Sequence, residues 1–436
     1  MVNKRLEKYA LFSENFRGLP DGWHNLRACN FLVGENSTGK SSFLQLIQLI
    51  DSREHSVFLD ICGIVEGIDT PFDVCSRTSG SRETTIGFLI KERVDETRKS
   101  YRGVLGRLST YKRVKNEMRL ERLTVVSGEK ILRMRRSQNR ISYRLDNFVY
   151  DEKLKHSENG EKFRNLHSSS SERFGKHREI NWQEVLPMSA WIETTANAVF
   201  GKDKLNDDSF VSSYPPLRCL HHGPMRTKTR RLYHGSRSEF SPTGEHIPYL
   251  LRDMLQADSK LNDRIVEFGK ASGLFDMISV TSVKTAIKDK PFALQVEKSG
   301  SFYYVDELGF GVGQVLPIIA DIAFASDNHA FLIQQPELHL HPRAQAALGD
   351  VFQTATENGG AFVIETHSDF IIDRFRLLKK KSKDESRAQI IYFEKGEDGK
   401  NRSFEIDIKS DGSLADTPEG YRSFFLNESV EKFENL

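Results

Sequence analysis

The chain has 436 residues, of which 38% are hydrophobic and 28% charged, and its formal net charge at pH 7 is +2. This composition supports a sizeable core and excludes bulk disorder, and a sequence without a long apolar run or an apolar leader predicts neither a membrane-spanning nor an exported protein. Four cysteines that form no CxxC pair indicate neither a zinc site nor a disulfide framework, and they fit a cytoplasmic protein.

The N-terminal segment predicts two strands followed by a helix. Aromatic and β-compatible residues fill segments 9–16 and 26–33, and a Gly-Leu-Pro-Asp-Gly turn at 18–22 separates them. Apolar residues at helical spacing then predict a helix that begins near Lys40 and ends at about Asp51.

The sequence pattern in the middle of the chain changes from strand-like to polar and then to helical. Residues 85–150 have a strand-like pattern, carried by segments 84–90, 122–127, 130–135 and 140–145. Residues 152–181 are polar and contain four consecutive serines, which predicts a mobile loop or linker. Segments 182–200 and 246–275 predict helices. The C-terminal third alternates strand and helix, as is typical of a mostly parallel sheet.

Basic residues are concentrated in one segment. From Arg98 to Arg144, fifteen Lys and Arg residues stand against three Glu. Such a segment is either a solvated face of an antiparallel sheet or a surface that contacts nucleic acid or an acidic protein. The sequence leaves both interpretations open.

The residues from Gly34 to Ser41 read GENSTGKS and match the phosphate-loop pattern G-x-x-x-x-G-K-[ST]. An apolar strand precedes them and a helix follows, which is the context that this pattern requires. We expect Lys40 to bridge the β- and γ-phosphates and the Ser41 hydroxyl to bind Mg²⁺, so the chain should bind a nucleoside triphosphate. The expected nucleotide contacts in this loop are Asn36, Ser37, Thr38, Gly39, Lys40, Ser41 and Ser42.

Two later apolar runs, 330–334 and 362–364, end in polar residues. The first run leads into Gln334, Gln335 and Glu337, and the second is followed by His367. Ligands of open α/β sheets bind at the carboxyl ends of the strands. Both polar tails should therefore face the same crevice as the phosphate loop.

The order of four motifs resembles that of the ABC-type AAA ATPases, which include the RecF and SMC heads and the overcoming-lysogenisation-defect (OLD) proteins. The motifs are GENSTGKS, LGFGVGQVLP at 308–317, FLIQQPELHLHP at 331–342 and IETHSDF at 364–370. HHGPMR at 221–226 is similar to the prokaryotic anti-phage branch of this group. The resemblance covers the N-terminal and C-terminal blocks, with little match across 95–215.

The resemblance implies an α/β P-loop NTPase head of ABC type, with a parallel-sheet core, an antiparallel β lobe and a helical or loop insertion. It divides the chain into an N-terminal ATPase lobe with the phosphate loop (1–95), a basic β lobe with loop and insertion (96–215), and a C-terminal ATPase lobe (216–436). Gly311, Gly313 and Gln314 resemble the signature loop that caps the γ-phosphate of ATP held by an opposing subunit. This implies a dimer, or a larger assembly, with composite sites.

The strand before the Pro-Glu pair departs from the family pattern. Relatives in their fuller form carry two acids there, one for Mg²⁺ and one for the attacking water, whereas this chain has Gln334 and Gln335. A neutral amide binds Mg²⁺ weakly and takes up no proton, so we expect slow turnover. Gln335 is common in the defence branch; Gln334 is either a natural feature of a slow enzyme or a Glu→Gln change. Gly313 stands where relatives more often have serine.

The resemblance assigns the remaining roles. The expected catalytic residues are Gln334, Gln335, Glu337 and the switch histidine His367, which touches the γ-phosphate. The expected Mg²⁺ ligands are Ser41 and Gln334. ATP and Mg²⁺ are thus the expected cofactors.

The resemblance implies an ATPase sensor or scaffold that controls a separately encoded effector, a nuclease or toxin, in anti-phage defence. The segment after His367 is too short for the Toprim nuclease domain of OLD proteins, so we expect the effector on another chain. The first alternative is a RecF-like DNA-repair ATPase that uses the basic segment 98–144. The second is a scaffold that binds ATP without hydrolysing it.

Overall fold

The computed structural model describes residues 6–58, 60–77, 79–92, 103–137, 140–169, 176–179, 217–236, 239–257, 259–282, 291–324 and 329–421. The helix expected over 182–200 and both expected domain boundaries lie outside these residues. Across the first boundary, the strands Glu83–Glu92 and Gly103–Val114 pair in one continuous sheet.

The described strands are β1 Tyr9–Glu14, β2 Gly22–Asn25, β3 Cys29–Gly34, β4 Glu83–Glu92, β5 Gly103–Val114, β6 Glu117–Ser127, β7 Lys130–Ser137, β8 Arg140–Asn147, β9 Lys176–Glu179, β10 Cys219–His222, β11 Met277–Ser282, β12 Phe292–Lys298, β13 Ser301–Tyr304, β14 Ala330–Gln334, β15 Ala361–Glu365, β16 Ala388–Lys395 and β17 Asn401–Ile408. The described helices are α1 Lys40–Asp51, α2 Arg53–Phe58, α3 His156–Ser168, α4 Ile247–Ala257, α5 Ser259–Ser272, α6 Phe310–Phe324, α7 Pro342–Glu357 and α8 Asp369–Ser382, with 3₁₀ helices at Leu6–Lys8 and Val305–Glu307.

The central sheet has six strands in the order β10-β14-β15-β3-β16-β17. All its pairings are parallel except the last, between β16 and β17. Strands β3 and β15 are buried along their whole length, which explains their almost continuous apolar sequences. The α/β class and the mostly parallel sheet are confirmed, and α1 has the predicted bounds.

The two faces of this sheet pack into separate cores. Successive side chains of a strand point to opposite faces. Phe31 of β3 accordingly packs with α6, α7 and α8, where its ring lies 5.1 Å from that of Phe375. Leu32 packs on the other face with α1. Pro342 begins α7, where its missing N–H leaves no hydrogen bond unmade, and the Ser368 hydroxyl caps α8.

An eight-stranded antiparallel sheet forms a second lobe, in the order β2-β1-β4-β5-β6-β7-β8-β9. The strands predicted within 85–150 are confirmed here, as β4, β6, β7 and β8. Phe12, Leu108, Phe148 and Phe163 lie in the small core that joins this sheet to α3.

The loop predicted over 152–181 is wrong for residues 156–168, which form α3, and for residues 176–179, which form β9. The residues that this helix buries include Asn159, Gly160 and His167, so its inward face has little hydrophobic periodicity. Gly160 lies so close to Trp23 that an added Cβ would come within 2.6 Å of the indole ring. The helix is therefore held by Phe163 in the small core and by close packing of small and polar residues around it.

The C-terminal part also contains a three-stranded antiparallel sheet, β11-β12-β13, which the expected alternation of strand and helix did not include. Ser299 and Gly300 both have positive φ in the tight turn between β12 and β13. The helices predicted within 246–275 are confirmed as α4 and α5. None of the helices in the described ranges is long and apolar enough to cross a membrane.

Candidate functional site

A cleft of about 1380 Å³ lies at the carboxyl ends of β3 and β15. This is the edge at which parallel sheets bind ligands. Its lining includes Asn36, Ser37, Thr38, Gly39, Lys40, Ser41, Ser42, Phe72, Asp73, Gln335, Glu365, Lys400 and Asn401. The structure therefore brings every expected contact of the phosphate loop to one cavity, together with Gln335.

The glycines of the phosphate loop are required by close backbone packing. Gly34 has a φ of +140°, and an added Cβ would lie 1.9 Å from the Phe393 carbonyl oxygen. Gly39 has a φ of +111°, and its Cβ would lie 2.5 Å from the Gly18 carbonyl oxygen. Asn401 Nδ2 donates to that same Gly18 oxygen at 2.6 Å. The loop is thus held between β16 and the segment after β1.

Lys40 is the first residue of α1 and is buried beneath the loop. Its Nζ donates to the carbonyl oxygens of Gly34 and Glu35, each at 2.6 Å. Burial lowers the pKa of Lys40, and the charges of Glu365 and Glu35 oppose that shift. An ammonium group that binds carbonyls at the N-terminus of a helix is suited to receive a phosphate.

A carboxylate to which the sequence analysis gave no role, Glu365, lies beside Ser41. Ser41 Oγ donates to Glu365 Oε1 at 3.0 Å and to Oε2 at 3.1 Å, and Gln334 Nε2 donates to Oε2 at 3.3 Å. Burial raises the pKa of Glu365, against the Ser41 hydrogen bond and the Lys40 charge. A glutamate at the end of a buried apolar strand was the available signal, since Glu is seldom buried without partners.

The turns that follow β14 and β15 are tied to each other. Gln335 has a φ of 43°, and its N–H donates to the Glu365 carbonyl oxygen at 2.8 Å. Glu337 accepts from the His367 N–H at 2.7 Å and from Thr366 Oγ1 at 2.8 Å. Burial raises the pKa of Glu337. Its carboxylate thus fixes the turn that carries the half-buried His367.

The expected signature residues Gly311, Gly313 and Gln314 lie at the start of α6 and do not line the cleft. None of the described residues that line the cleft comes from this helix. Gln314 is buried and exchanges two hydrogen bonds with the backbone of Arg226, at 3.2 and 3.1 Å. An added Cβ on Gly311 would lie 2.8 Å from the His339 carbonyl oxygen. The contacts of Gly311, Gly313 and Gln314 with a nucleotide stay a prediction.

Arg226 connects this helix to the strand that ends at the cleft. Its Nη2 donates to the Gln334 carbonyl oxygen at 2.8 Å, while its backbone holds Gln314. Burial lowers the pKa of Arg226 to about 10, opposed by the charge of Glu337. The HHGPMR segment thus supplies a buried cation between α6 and β14.

The chain belongs to a family of AAA ATPase domains. Residues 29–373, well over half of the chain, match the family model described as "AAA domain, putative AbiEii toxin, Type IV TA system". The phosphate loop and the strand ends of the cleft all fall within this range. A search of curated protein sequences gave no significant match.

Three solved structures of SMC heads overlap the chain in outline. An Smc head bound to the C-winged helix domain of ScpA has 10% identity and a TM-score of 0.42, covering 92% of this chain and 97% of the other. The SMC head of Thermotoga maritima has 10% identity and a TM-score of 0.39, covering 91% of this chain and 97% of the other. An Smc head bound to the C-terminal domain of ScpA, derived from Pyrococcus furiosus, has 11% identity and a TM-score of 0.39. The match covers 99% of this chain and 100% of the other. At these scores the overlap supports no conclusion about this chain.

Proposed function

We propose that the chain binds Mg²⁺-ATP in the cleft and that two copies close around two nucleotides. The state of this dimer then controls a separately encoded effector in anti-phage defence. The observation that carries the nucleotide step is the position of Lys40, buried under the phosphate loop and hydrogen-bonded to carbonyls of the loop. On binding, its ammonium group exchanges these carbonyls for phosphate oxygens.

The residues of the cleft fit Mg²⁺ as well as ATP. The Ser41 hydroxyl faces a carboxylate, and Mg²⁺ in proteins prefers oxygen ligands. When bound, Mg²⁺ supplies positive charge that offsets the charge of the β- and γ-phosphates. Ser41 would hold the metal through its hydroxyl, and the side chain of Gln334 lies at the neighbouring strand end.

The start of α6 supports the proposed dimer. Phe310 is 61% exposed, although it begins a helix that is mostly buried. Lys228 Nζ lies 6.0 Å from its ring centroid, and the ring of His339 lies at 5.8 Å. A glycine-rich helix start beside a cation favours binding of a phosphate, and here that phosphate belongs to the nucleotide of the second copy.

Light scattering after size-exclusion chromatography tests the dimer. We expect the chain to change from monomer to dimer when Mg²⁺ and the non-hydrolysable analogue AMP-PNP are added. Phe310→Asp should abolish the dimer and keep AMP-PNP binding. Phe302→Asp is the matched control, because Phe302 is 64% exposed on β13. A wild-type chain that binds AMP-PNP and remains monomeric would contradict the proposal.

Turnover is slow in this proposal because Gln334 and Gln335 supply amides where acids assist hydrolysis. Gln334→Glu should raise the steady-state rate of phosphate release. Equal rates for the two forms would show that the amide is not the reason for slow turnover.

The defence role is supported by the family, whose description names a putative toxin of a toxin–antitoxin system. Native mass spectrometry of the chain purified from its own host in Mg²⁺-ATP tests it. We expect a stoichiometric complex with a nuclease or toxin chain, which is lost in Lys40→Ala. A bare homodimer, or a homodimer that carries DNA fragments, would contradict the effector proposal.

The second candidate, a DNA-binding ATPase, is favoured by the excess of basic residues between 98 and 144. Some of these residues already have acidic partners in the β lobe. Lys112 and Arg122 both contact Glu83, and Arg119 contacts Glu117. These carboxylates lower the positive potential that the segment presents to phosphates, so we rank this function second.

A further inference from the structure

Glu365 lies between the phosphate-loop strand and the strand of Gln334. It ends β15, where it pairs in register with Gln334 of β14 on one side and with Leu32 of β3 on the other. The sheet order β14-β15-β3 therefore places the Glu365 carboxylate next to the amide of Gln334 and beside the strand that leads into the phosphate loop.

The contacts of Glu365 point toward a cation. The side chain is 5% exposed, yet it lines the cleft. Both carboxylate oxygens accept from Ser41 Oγ, the hydroxyl that phosphate-loop proteins offer to Mg²⁺. Burial of a carboxylate is costly unless charge and hydrogen bonds compensate it, and a divalent cation at Ser41 provides that compensation.

We infer that Glu365 is the carboxylate ligand of the Mg²⁺ that accompanies ATP, together with Ser41. The inference rests on the proposed ATP binding. Mg²⁺ in nucleotide sites is typically held by one or two carboxylates and the substrate phosphates. Within the described ranges, no three His, Cys, Asp or Glu residues form a metal cage, and one carboxylate beside a phosphate loop is sufficient. Gln334 then positions Glu365 through its Nε2.

Calorimetry of AMP-PNP binding, in EDTA and in Mg²⁺, tests the assignment. In the wild type, Mg²⁺ should raise the affinity for AMP-PNP. Glu365→Gln should keep the affinity in EDTA and lose about tenfold or more of the gain from Mg²⁺. Electron paramagnetic resonance of Mn²⁺ with AMP-PNP should show the matching loss of bound metal. Glu54→Gln, at an exposed carboxylate of α2 that does not line the cleft, should leave both readouts unchanged.

A variant that exchanges the side chains of Gln334 and Glu365 distinguishes a role of Glu365 in metal binding from a role in folding. In the double variant Gln334→Glu/Glu365→Gln, the carboxylate moves from the end of β15 to the paired end of β14. Mg²⁺ should then again raise the affinity for AMP-PNP. Melting temperatures without ligand report folding. If the single variant does not fold, the double variant carries the test.

Two outcomes count against the assignment in different ways. A full gain from Mg²⁺ in folded Glu365→Gln, or no gain in the folded double variant, overturns the role of Glu365 and leaves ATP binding intact. A wild-type chain that binds AMP-PNP neither in EDTA nor in Mg²⁺ overturns the proposed function, and the metal assignment with it.

Discussion

Two buried cations, one in each lobe, differ in what they contact. Lys40, in the parallel core, donates to the neutral carbonyls of Gly34 and Glu35. Arg133, in the antiparallel lobe, is 2% exposed and donates through Nε to the Asp146 carboxylate at 2.9 Å. A buried cation with its own carboxylate belongs to the scaffold, whereas one that binds carbonyls beside a cleft is available to an anion.

The buried imidazole and carboxylate of the two lobes show the same difference. His167 lies between the hydroxyls of Thr110 and Thr124 in the β lobe, at 2.7 and 2.8 Å. Glu365 accepts from Ser41 at the edge of an open cleft. The His167 imidazole is thus held by hydroxyls of its own lobe, whereas the Glu365 carboxylate lies where a ligand of the cleft can reach it.

Replacement of the cation at the cleft should have the largest effect. Lys40→Ala should weaken AMP-PNP binding about 100-fold or more, because hydrogen bonds to charged groups contribute about 1.5–3 kcal/mol each. Calorimetry measures this change. Lys400→Ala, at the exposed rim of the same cleft, should change the affinity by less than about fivefold. If Lys40→Ala bound AMP-PNP with wild-type affinity, Lys40 would not be a ligand-binding cation, and the proposed difference from Arg133 would be wrong.

Replacement of the cation in the β lobe should affect stability and leave nucleotide binding unchanged. Arg133→Met deprives Asp146 of a buried partner, and loss of one member of such a pair costs about 3–5 kcal/mol. Arg144 also contacts Asp146, so we expect the lower end of that range. Urea unfolding measures the loss, and Lys130→Ala, at an exposed site of β7, should stay within about 0.5 kcal/mol. An unchanged free energy of unfolding in Arg133→Met would show that the pair of Arg133 and Asp146 does not stabilise the fold.

Acid should destabilise the β lobe through His167. Burial, together with the charges of Arg122, Arg135 and Arg133, lowers the pKa of this residue to about 3. The unfolded chain takes up the proton near pH 6.5 and the folded chain only near pH 3. Stability therefore falls as the pH drops between these values, by up to about 1.4 kcal/mol per pH unit. His167→Gln should show a smaller slope in unfolding measured from pH 7 to 4; equal slopes would contradict this.

Loss of exposed basic residues in the β lobe should have the smallest effect. We expect the triple variant Lys112→Ala/Lys115→Ala/Arg119→Ala to bind duplex DNA with the same salt dependence as the wild type. Fluorescence anisotropy at several salt concentrations measures that slope. If these side chains contacted phosphates, the slope would fall by about one unit for each residue. Such a fall would favour the DNA-binding ATPase.

Local sequence was sufficient for the phosphate loop and for α1, because glycines, lysine and apolar spacing all lie within one short segment. It was insufficient for α3, whose buried face includes Asn159, Gly160 and His167 and so lacks an apolar stripe. The position of Glu365 beside Ser41 depends on the order of three strands and joins residues 324 apart in the chain. No local pattern contains that contact.

A crystal structure with AMP-PNP and Mn²⁺, located by its anomalous scattering, tests the central claim most directly. We expect the phosphates in the loop from Gly34 to Ser41, with Lys40 Nζ on a phosphate oxygen. The Mn²⁺ peak should lie between Ser41 Oγ and the Glu365 carboxylate. A nucleotide bound outside the cleft, or a metal away from Ser41, would contradict the account.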